Sequence, residues 1–274
     1  MRTHLVQLAI LFVLASLAAP CWAGASAGSK PPVPEAAAAD EDLPFDPFDD
    51  GDDPFDDDVN AAPESVADPL SGFNRAMFVF NDRFYFWVLK PVARGYRAVI
   101  PTPARVSVKN FFFNLMMPVR FVNCLLQGKF KAADGEFGRF LVNSTIGVGG
   151  LFDPAAQFPE LNPPQEDFGQ TLGRYAVGNG CYLVWPLLGP STVRDSVGAV
   201  GDWALNPLNF MTLINVDAGA LTTTTTGAAV FSVRTVNDAS FRLGDYETLK
   251  DAALDPYEAF RDAYIQNRTS KIAR

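Results

Sequence analysis

Few residues in this chain are of the types that do covalent chemistry, and their placement excludes most of it. The one histidine is His4, inside an N-terminal stretch with the layout of an export signal, so the mature chain has no imidazole. Ser-His-Asp and Cys-His nucleophilic mechanisms are thereby excluded, as is a histidine-ligated metal. Cys124 and Cys181 are the cysteines beyond Cys21, too few for a thiolate zinc cage; in an export compartment they are expected to be buried or paired with each other. Glu166-Asp167 offers two carboxylates, but neighbours on a loop with Pro163 and Pro164 need not converge on one proton. The run Asn143-Ser144-Thr145-Ile146-Gly147-Val148-Gly149-Gly150 has the glycines of a phosphate loop, yet it matches neither dinucleotide nor Walker spacing and no lysine follows. Close helix packing is the expected reason for those glycines. Asp-Pro-Phe-Asp-Asp occurs twice, at 46–50 and 53–57, but Phe48 stands where a calcium loop needs an oxygen ligand before Gly51. No catalytic residue, cofactor or metal is expected, which leaves binding as the chain's chemistry.

The charge pattern divides the chain before any fold is considered. Arg2 and His4 precede an apolar run from Leu5 to Ala19, too short to remain across a bilayer and followed by small residues, so residues 1–23 read as a signal peptide ending somewhere within 20–27. Leu17-Ala18-Ala19-Pro20-Cys21 is one residue out of register with a bacterial lipobox. Lipidation of Cys21 and plain cleavage after Ala23, Ala25 or Ala27 both stay open. Residues 24–67 read as a disordered acidic, Pro-rich linker: positions 35–68 hold 14 of the 31 acidic side chains and no basic one. A folded domain is expected over 68–268, with 269–274 as a tail. Residues 69–274 carry 20 Lys and Arg against 17 Asp and Glu, so the folded part is +3 although the whole chain is −9.

The elements of that domain read as helices with short joints. Asp68-Pro69 has the cap-then-proline form of a helix start, and the pattern runs to Leu89. At 100° per residue Ser71, Asn74, Arg75, Phe78, Asn81 and Asp82 form a narrow polar stripe, expected to tolerate substitution, while Leu70, Phe73, Met77, Phe80, Phe84 and Trp87 cover the other side. So wide an apolar sector belongs either in the centre of a large core or in a lipid leaflet. Thr102-Pro103 and Asp255-Pro256 repeat the start signal, and further helices are predicted over Phe121–Gln127, Ala132–Thr145, Ser191–Trp203 and Leu208–Val216. Thr222 to Thr226, five threonines in a row, predicts a loop or irregular strand. The stretch Tyr175–Val193 is charge-free but broken by glycines and prolines, so it predicts no spanning helix. The fold class is all-α, in one domain.

The basic half is also the aromatic half. Residues 69–139 hold 11 basic and 3 acidic groups, and Arg94, Arg97 and Arg105 are interleaved with apolar stretches as where helices meet anionic headgroups. Nucleic acid would also suit such a surface, but an exported protein rarely meets it. Ordinary solvated charge on a soluble domain is the plainer alternative.

Several blocks together resemble one family: Asp68-Pro69-Leu70-Ser71-Gly72-Phe73-Asn74-Arg75, Lys90-Pro91-Val92-Ala93, Pro101-Thr102-Pro103-Ala104-Arg105, Arg139-Phe140-Leu141-Val142-Asn143-Ser144-Thr145-Ile146-Gly147, Asp167-Phe168-Gly169-Gln170-Thr171-Leu172-Gly173, Pro186-Leu187-Leu188-Gly189-Pro190 and Asp255-Pro256-Tyr257. In this order they are similar to the MlaA (VacJ) family. The resemblance implies a ring-shaped helical domain in the periplasmic leaflet of the Gram-negative outer membrane, around an amphipathic channel. It implies removal of misplaced phospholipid from the outer leaflet, association with a trimeric porin and delivery to a soluble periplasmic carrier. On that reading Phe73, Met77, Phe80, Phe84 and Trp87 embed in acyl chains and Arg94, Arg97 and Arg105 lie at headgroup level. A carboxylate-dependent phospholipid hydrolase and an envelope scaffold with no lipid path are the competing functions.

Overall fold

The structure, a computed structural model, describes residues 66–209 and 220–274. The signal peptide with Cys21, the linker before Val66 and the predicted helix 208–216 from residue 210 onward lie outside them. Helix α1 (Ser71–Phe84), a π-helical turn (Tyr85–Leu89) and α2 (Lys90–Val99) make one unbroken rod. The wide turn is what lets Pro91 sit in it: Pro91 has no N–H and crowds the carbonyl a turn back, and Lys90 N–H bonds Tyr85 O, five residues behind. Then follow α3 (Thr102–Leu115), α4 (Met117–Leu126), α5 (Phe130–Thr145), two short 3-10 turns, and α6 (Phe168–Arg174). A hairpin of β1 (Tyr182–Trp185) and β2 (Gly189–Thr192) leads into α7 (Val193–Leu205), and α8 (Ala220–Phe241), α9 (Asp245–Ala252) and α10 (Pro256–Ala273) complete the chain.

The helical class is as expected, with several local differences. The hairpin, antiparallel with Tyr182 opposite Thr192 and Trp185 opposite Gly189, occupies part of the charge-free stretch that predicted no element. Its turn needs positive φ at Leu187 and Gly189. The five threonines lie inside α8, not in a loop. Their helix penalty is only about 0.5 kcal/mol each, and the C-terminal part of α8 packs along α2 and α3 with bonds from Tyr96 Oη to Asn237 and from Asn237 Nδ2 to Arg105 O. Gly147 and Gly150 lie in a tight turn after α5, and Gly150, with φ +88°, also packs closely on α3, where a Cβ would meet Asn114 at 2.6 Å. Cys181 is disulfide-bonded while Cys124 is a free buried thiol, so these two do not pair with each other. Burial pushes the Cys124 thiol up to about 12, which keeps it inert. Helix α10 continues through Ala273, where a tail was expected. At the other end, Val66 packs on Tyr182 and Val184.

Of the three proline-marked starts, Asp255 caps as predicted, accepting from Tyr257 N and Glu258 N. Asp68 does not cap α1; its carboxylate accepts from Asn74 Nδ2 (2.8 Å) and from Tyr257 Oη, tying α1 to α10. Thr102 Oγ1 accepts from Arg105 Nη2 instead of capping α3.

The interior is inverted relative to a water-soluble domain. Among the described residues 13 apolar side chains are buried against 18 polar or charged ones, while 27 large apolar side chains are exposed. Soluble proteins do the reverse. On α5, Glu136 and Asn143 face inward and Phe130, Phe137 and Leu141 outward. Glu136 is fully buried and takes Arg120 Nε on both oxygens at 2.9 Å, and Arg120 in turn lies 3.9 Å over the Phe113 ring. Such pairs stay buried because each charge is met by its opposite. No helix among the described residues is long and apolar enough to cross a membrane.

Candidate functional site

The α1 rod is anchored by the stripe that was expected to be tolerant. Asn74, fully buried, donates to Tyr182 O (2.9 Å) and accepts from Val184 N (2.9 Å); Asn81 donates to Trp185 O (2.9 Å) and accepts from Leu187 N (2.7 Å). The polar face of the helix thus binds the backbone of β1 and its turn, and the apolar face is turned out. Phe73, Phe80 and Trp87, spaced by seven, are 49 %, 46 % and 75 % exposed. Met77 differs from expectation, packing inward on Tyr182, Val184 and Tyr257, and Phe84 lines a cavity instead of the outer face.

That cavity, about 960 Å³, lies behind the rod. Phe78, Phe84, Val88, Phe231 and Phe260 make its lining largely apolar, and Arg242, Arg268 and Lys271 are among the residues that line it. Tyr264, Arg268 and the Leu188-Gly189-Pro190 turn are shared with a second cavity of about 770 Å³, which holds Trp185, Trp203 and Asp202. Asp202 and Trp203 are shared with a third of about 530 Å³, whose lining includes Arg120, Gln165, Glu166 and Gln170. In this series the large and middle cavities are mostly apolar and the smallest is as polar as it is apolar, a combination that suits a ligand with tails and a headgroup.

Carboxylates and arginines hold the middle of the series. Arg268 on α10 grips Asp167 at the N-cap of α6 and Asp195 in the first turn of α7, with Nη2 at 2.9 and 2.8 Å, and Tyr264 Oη adds a bond to Asp195 at 2.7 Å. Burial alone would raise the Asp167 carboxyl, but the bonds and charge of Arg268 and the Gln170 N–H outweigh it and hold it at about 2. Asp202 goes the other way. Burial and the neighbouring Asp167 push it up to about 6, against bonds from Phe168 N and Asn123 Nδ2. Glu166 and Asp167, the adjacent carboxylates, do not converge: Glu166 is bound by Lys129 and Gln127, Asp167 by Arg268 and Gln170.

Arg94 and Arg97 are exposed on α2. Arg105 is not: it is 5 % exposed, bound to Ser240 and Thr102 and stacked 4.7 Å over Phe241, so it serves the joint of α3 with α8. Cys21 lies outside the described residues. Sequence reasoning missed Asp202, Tyr264 and Arg268, which share no local spacing and meet only when α6, α7 and α10 come together. The seven-residue interval from Asn74 to Asn81 was the signal for the anchor.

The sequence profile of the MlaA lipoprotein family matches residues 66–271. An intermembrane phospholipid transport system lipoprotein MlaA of Haemophilus influenzae is 36 % identical over 210 residues, 75 % of this chain and 79 % of that protein. The protein of the same description from Escherichia coli K12 is 35 % identical over 204 residues, 73 % and 76 % of the two chains. An uncharacterised protein of Rickettsia conorii is 34 % identical over 208 residues, 76 % and 78 % of the two. A solved structure from work on the structural basis for maintenance of bacterial outer membrane lipid asymmetry superposes with a TM-score of 0.62 at 34 % identity, covering 75 % of this chain and 99 % of that one. With its profile match running through the whole described domain, the chain belongs to the MlaA lipoprotein family.

Proposed function

We propose that this protein is a passive phospholipid path that maintains the lipid asymmetry of the outer membrane. The observation that carries the reading is the two-faced rod: α1 and its π-turn present Phe73, Phe80 and Trp87 outward, while the inner side lines a largely apolar cavity of about 960 Å³ that also holds Arg242, Arg268 and Lys271. An apolar outer face suits acyl chains and an amphipathic inner path suits a lipid moving headgroup first. The names of its Haemophilus and Escherichia relatives, as lipoproteins of an intermembrane phospholipid transport system, support the same reading. The domain sits in the periplasmic leaflet with Arg94 and Arg97 at headgroup level, and takes phospholipid that has strayed into the outer leaflet. A trimeric porin as its seat and a soluble periplasmic carrier as its receiver are the partners this role calls for, and the direction of flow comes from them. The protein does not cleave its lipid.

Cells lacking the gene test this. Surface-accessible phospholipid, measured with an amine-reactive reagent that does not cross the membrane, is expected to rise, together with detergent sensitivity. Unchanged outer-leaflet phospholipid overturns the transport role, and lysophospholipid formed by the purified protein overturns the non-hydrolytic one.

A further inference from the structure

Three aspartates line the middle cavity, and they are not equivalent. Asp167 and Asp195 share the Arg268 guanidinium, and Asp195 also pairs with Arg194. Asp202 accepts only from the Phe168 main-chain N–H and from Asn123 Nδ2, and among the described residues no lysine or arginine forms an ion pair with it. Its negative charge faces the wall common to the two inner cavities, where Trp203 stands next in sequence and Trp185 lies across the same space. Trp203 lines both inner cavities and is 44 % exposed. A carboxylate beside aromatic side chains in a half-open, mostly apolar cavity is the chemistry that receives an organic ammonium. Basic groups stand a short way off on the same path, with Arg268 on the wall toward the large cavity and Lys271 on the wall common to the large and the small one.

We propose that the middle cavity is a headgroup site selective for zwitterionic phospholipids, with the ammonium of a phosphoethanolamine headgroup on Asp202 beside Trp203 and its phosphate toward Arg268 and Lys271. The acyl chains extend into the large apolar cavity. An anionic phosphoglycerol headgroup carries the same phosphate but puts a neutral glycerol hydroxyl where the ammonium would be, leaving the Asp202 charge unmatched, so it is disfavoured at the same place. The inference rests on the lipid-path reading and adds to it which lipid the path prefers.

Full-length protein in an uncharged detergent is incubated with mixed micelles of equal phosphatidylethanolamine and phosphatidylglycerol, washed, and the retained lipid quantified by mass spectrometry. Wild type is expected to retain phosphatidylethanolamine in about tenfold excess, the ratio one charge-assisted contact of about 1.4 kcal/mol supports. Asp202→Asn is expected to bring the ratio to about one by lowering the phosphatidylethanolamine retained while phosphatidylglycerol stays bound, and Trp203→Leu to lower the ratio part of the way. Equal retention of the two lipids by wild type, or the wild-type ratio in folded Asp202→Asn, overturns the headgroup site and leaves the lipid path standing. If Asp202→Asn does not fold, an undiminished ratio in Trp203→Leu overturns the site instead. Failure to retain either lipid overturns the path and the site together.

Discussion

Asn74 substitutes for a strand edge toward Tyr182: its side-chain amide donates to the Tyr182 carbonyl while its oxygen accepts the Val184 N–H, as a neighbouring strand would. Asn81 repeats the device at Trp185 and Leu187. Seven helical residues rise about 10.5 Å, and the three strand residues from Tyr182 to Trp185 span about 10 Å, so two asparagines a heptad apart match the carbonyl spacing of the hairpin. A helix held in this way needs no apolar contact along that face. Its apolar side is left free to face outward, and the inversion of the whole domain follows from many such polar joints.

Asn74→Asp should therefore be among the most damaging single substitutions in the domain. A carboxylate there would face the Tyr182 carbonyl and the Asp68 carboxylate in a site fully shut off from water. The expected loss is about 3 kcal/mol or more, since a donor is deleted and a charge is buried among acceptors. Asn81→Asp, less buried, should lose about half as much. Thermal unfolding followed by circular dichroism checks both, and a wild-type midpoint for Asn74→Asp would show that these bonds do not hold the rod.

Phe73→Asp, Phe80→Asp and Trp87→Asp should behave oppositely. Each side chain is exposed in the isolated domain, so the fold and its helical signal should survive. What is lost is insertion of an apolar side chain into lipid, worth roughly 1.5–3 kcal/mol for each, with the cost of a charge added to it. Fractionation should move helical protein from membrane to soluble fractions, most for Trp87→Asp. Unfolding of all three variants would instead place this face in a protein core.

The sequence reveals the start of the first rod and the helices near 102–115, 117–126, 130–145, 193–205 and 256–273 because periodicity and proline-marked starts are local signals; it does not mark α6, α8 or α9. It misleads about the sign of the rod's faces. A polar stripe ordinarily faces water, and only the partner hairpin, more than a hundred residues away, shows that Asn74 and Asn81 are the buried side. The hairpin itself was hidden by Pro186, Gly189 and Pro190, which interrupt the alternation that marks a strand. Arg105 misled by its charge: a basic residue among aromatics looks like a headgroup contact, but stacking on Phe241 and a bond to Ser240 keep it inside. The Asp202 environment needs three helices and has no linear signature.

Stability should vary with pH in two opposed steps. Asp167, held at about 2 against an ordinary 3.8, contributes stability that is present above pH 4 and lost as pH falls from about 4 to 2. Asp202, raised to about 6, costs stability at pH 7 that is recovered as pH falls from 6 toward 4. The groups around it are Asp167, the Arg268 guanidinium and the Asn123 amide, none of which titrates between pH 4 and 7. In uncharged detergent the thermal midpoint should rise on going from pH 7 to about 5 and fall below 4. Asp202→Asn should abolish the rise, worth about 1–3 kcal/mol, and keep the fall. A rise of wild-type size in Asp202→Asn would refute the assignment.

The crossing of α6 and α7 makes the last test. A Cβ on Gly198 would lie 2.4 Å from the main-chain nitrogen of Gly169 and 2.6 Å from its Cα, so the two helices touch backbone to backbone. Neither atom belongs to a flexible side chain that could swing aside, and Gly198→Ala must push the helices apart. Asp167 caps α6 and Asp195 opens α7, so separating them also stretches the two carboxylates that Arg268 spans. Overpacking of this kind costs about 1–3 kcal/mol, a fall in midpoint of roughly 2–12 °C for a domain of this size. Gly95→Ala is the matched control: Gly95 lies within α2 with nothing within 4 Å of its Cβ position, so alanine there should add up to about 1 kcal/mol through helix propensity. Opposite signs for the two variants are expected in thermal unfolding. A Gly198→Ala protein as stable as Gly95→Ala would mean that α6 and α7 do not meet this closely, and that Arg268 is free of the geometry that fixes the middle of the path.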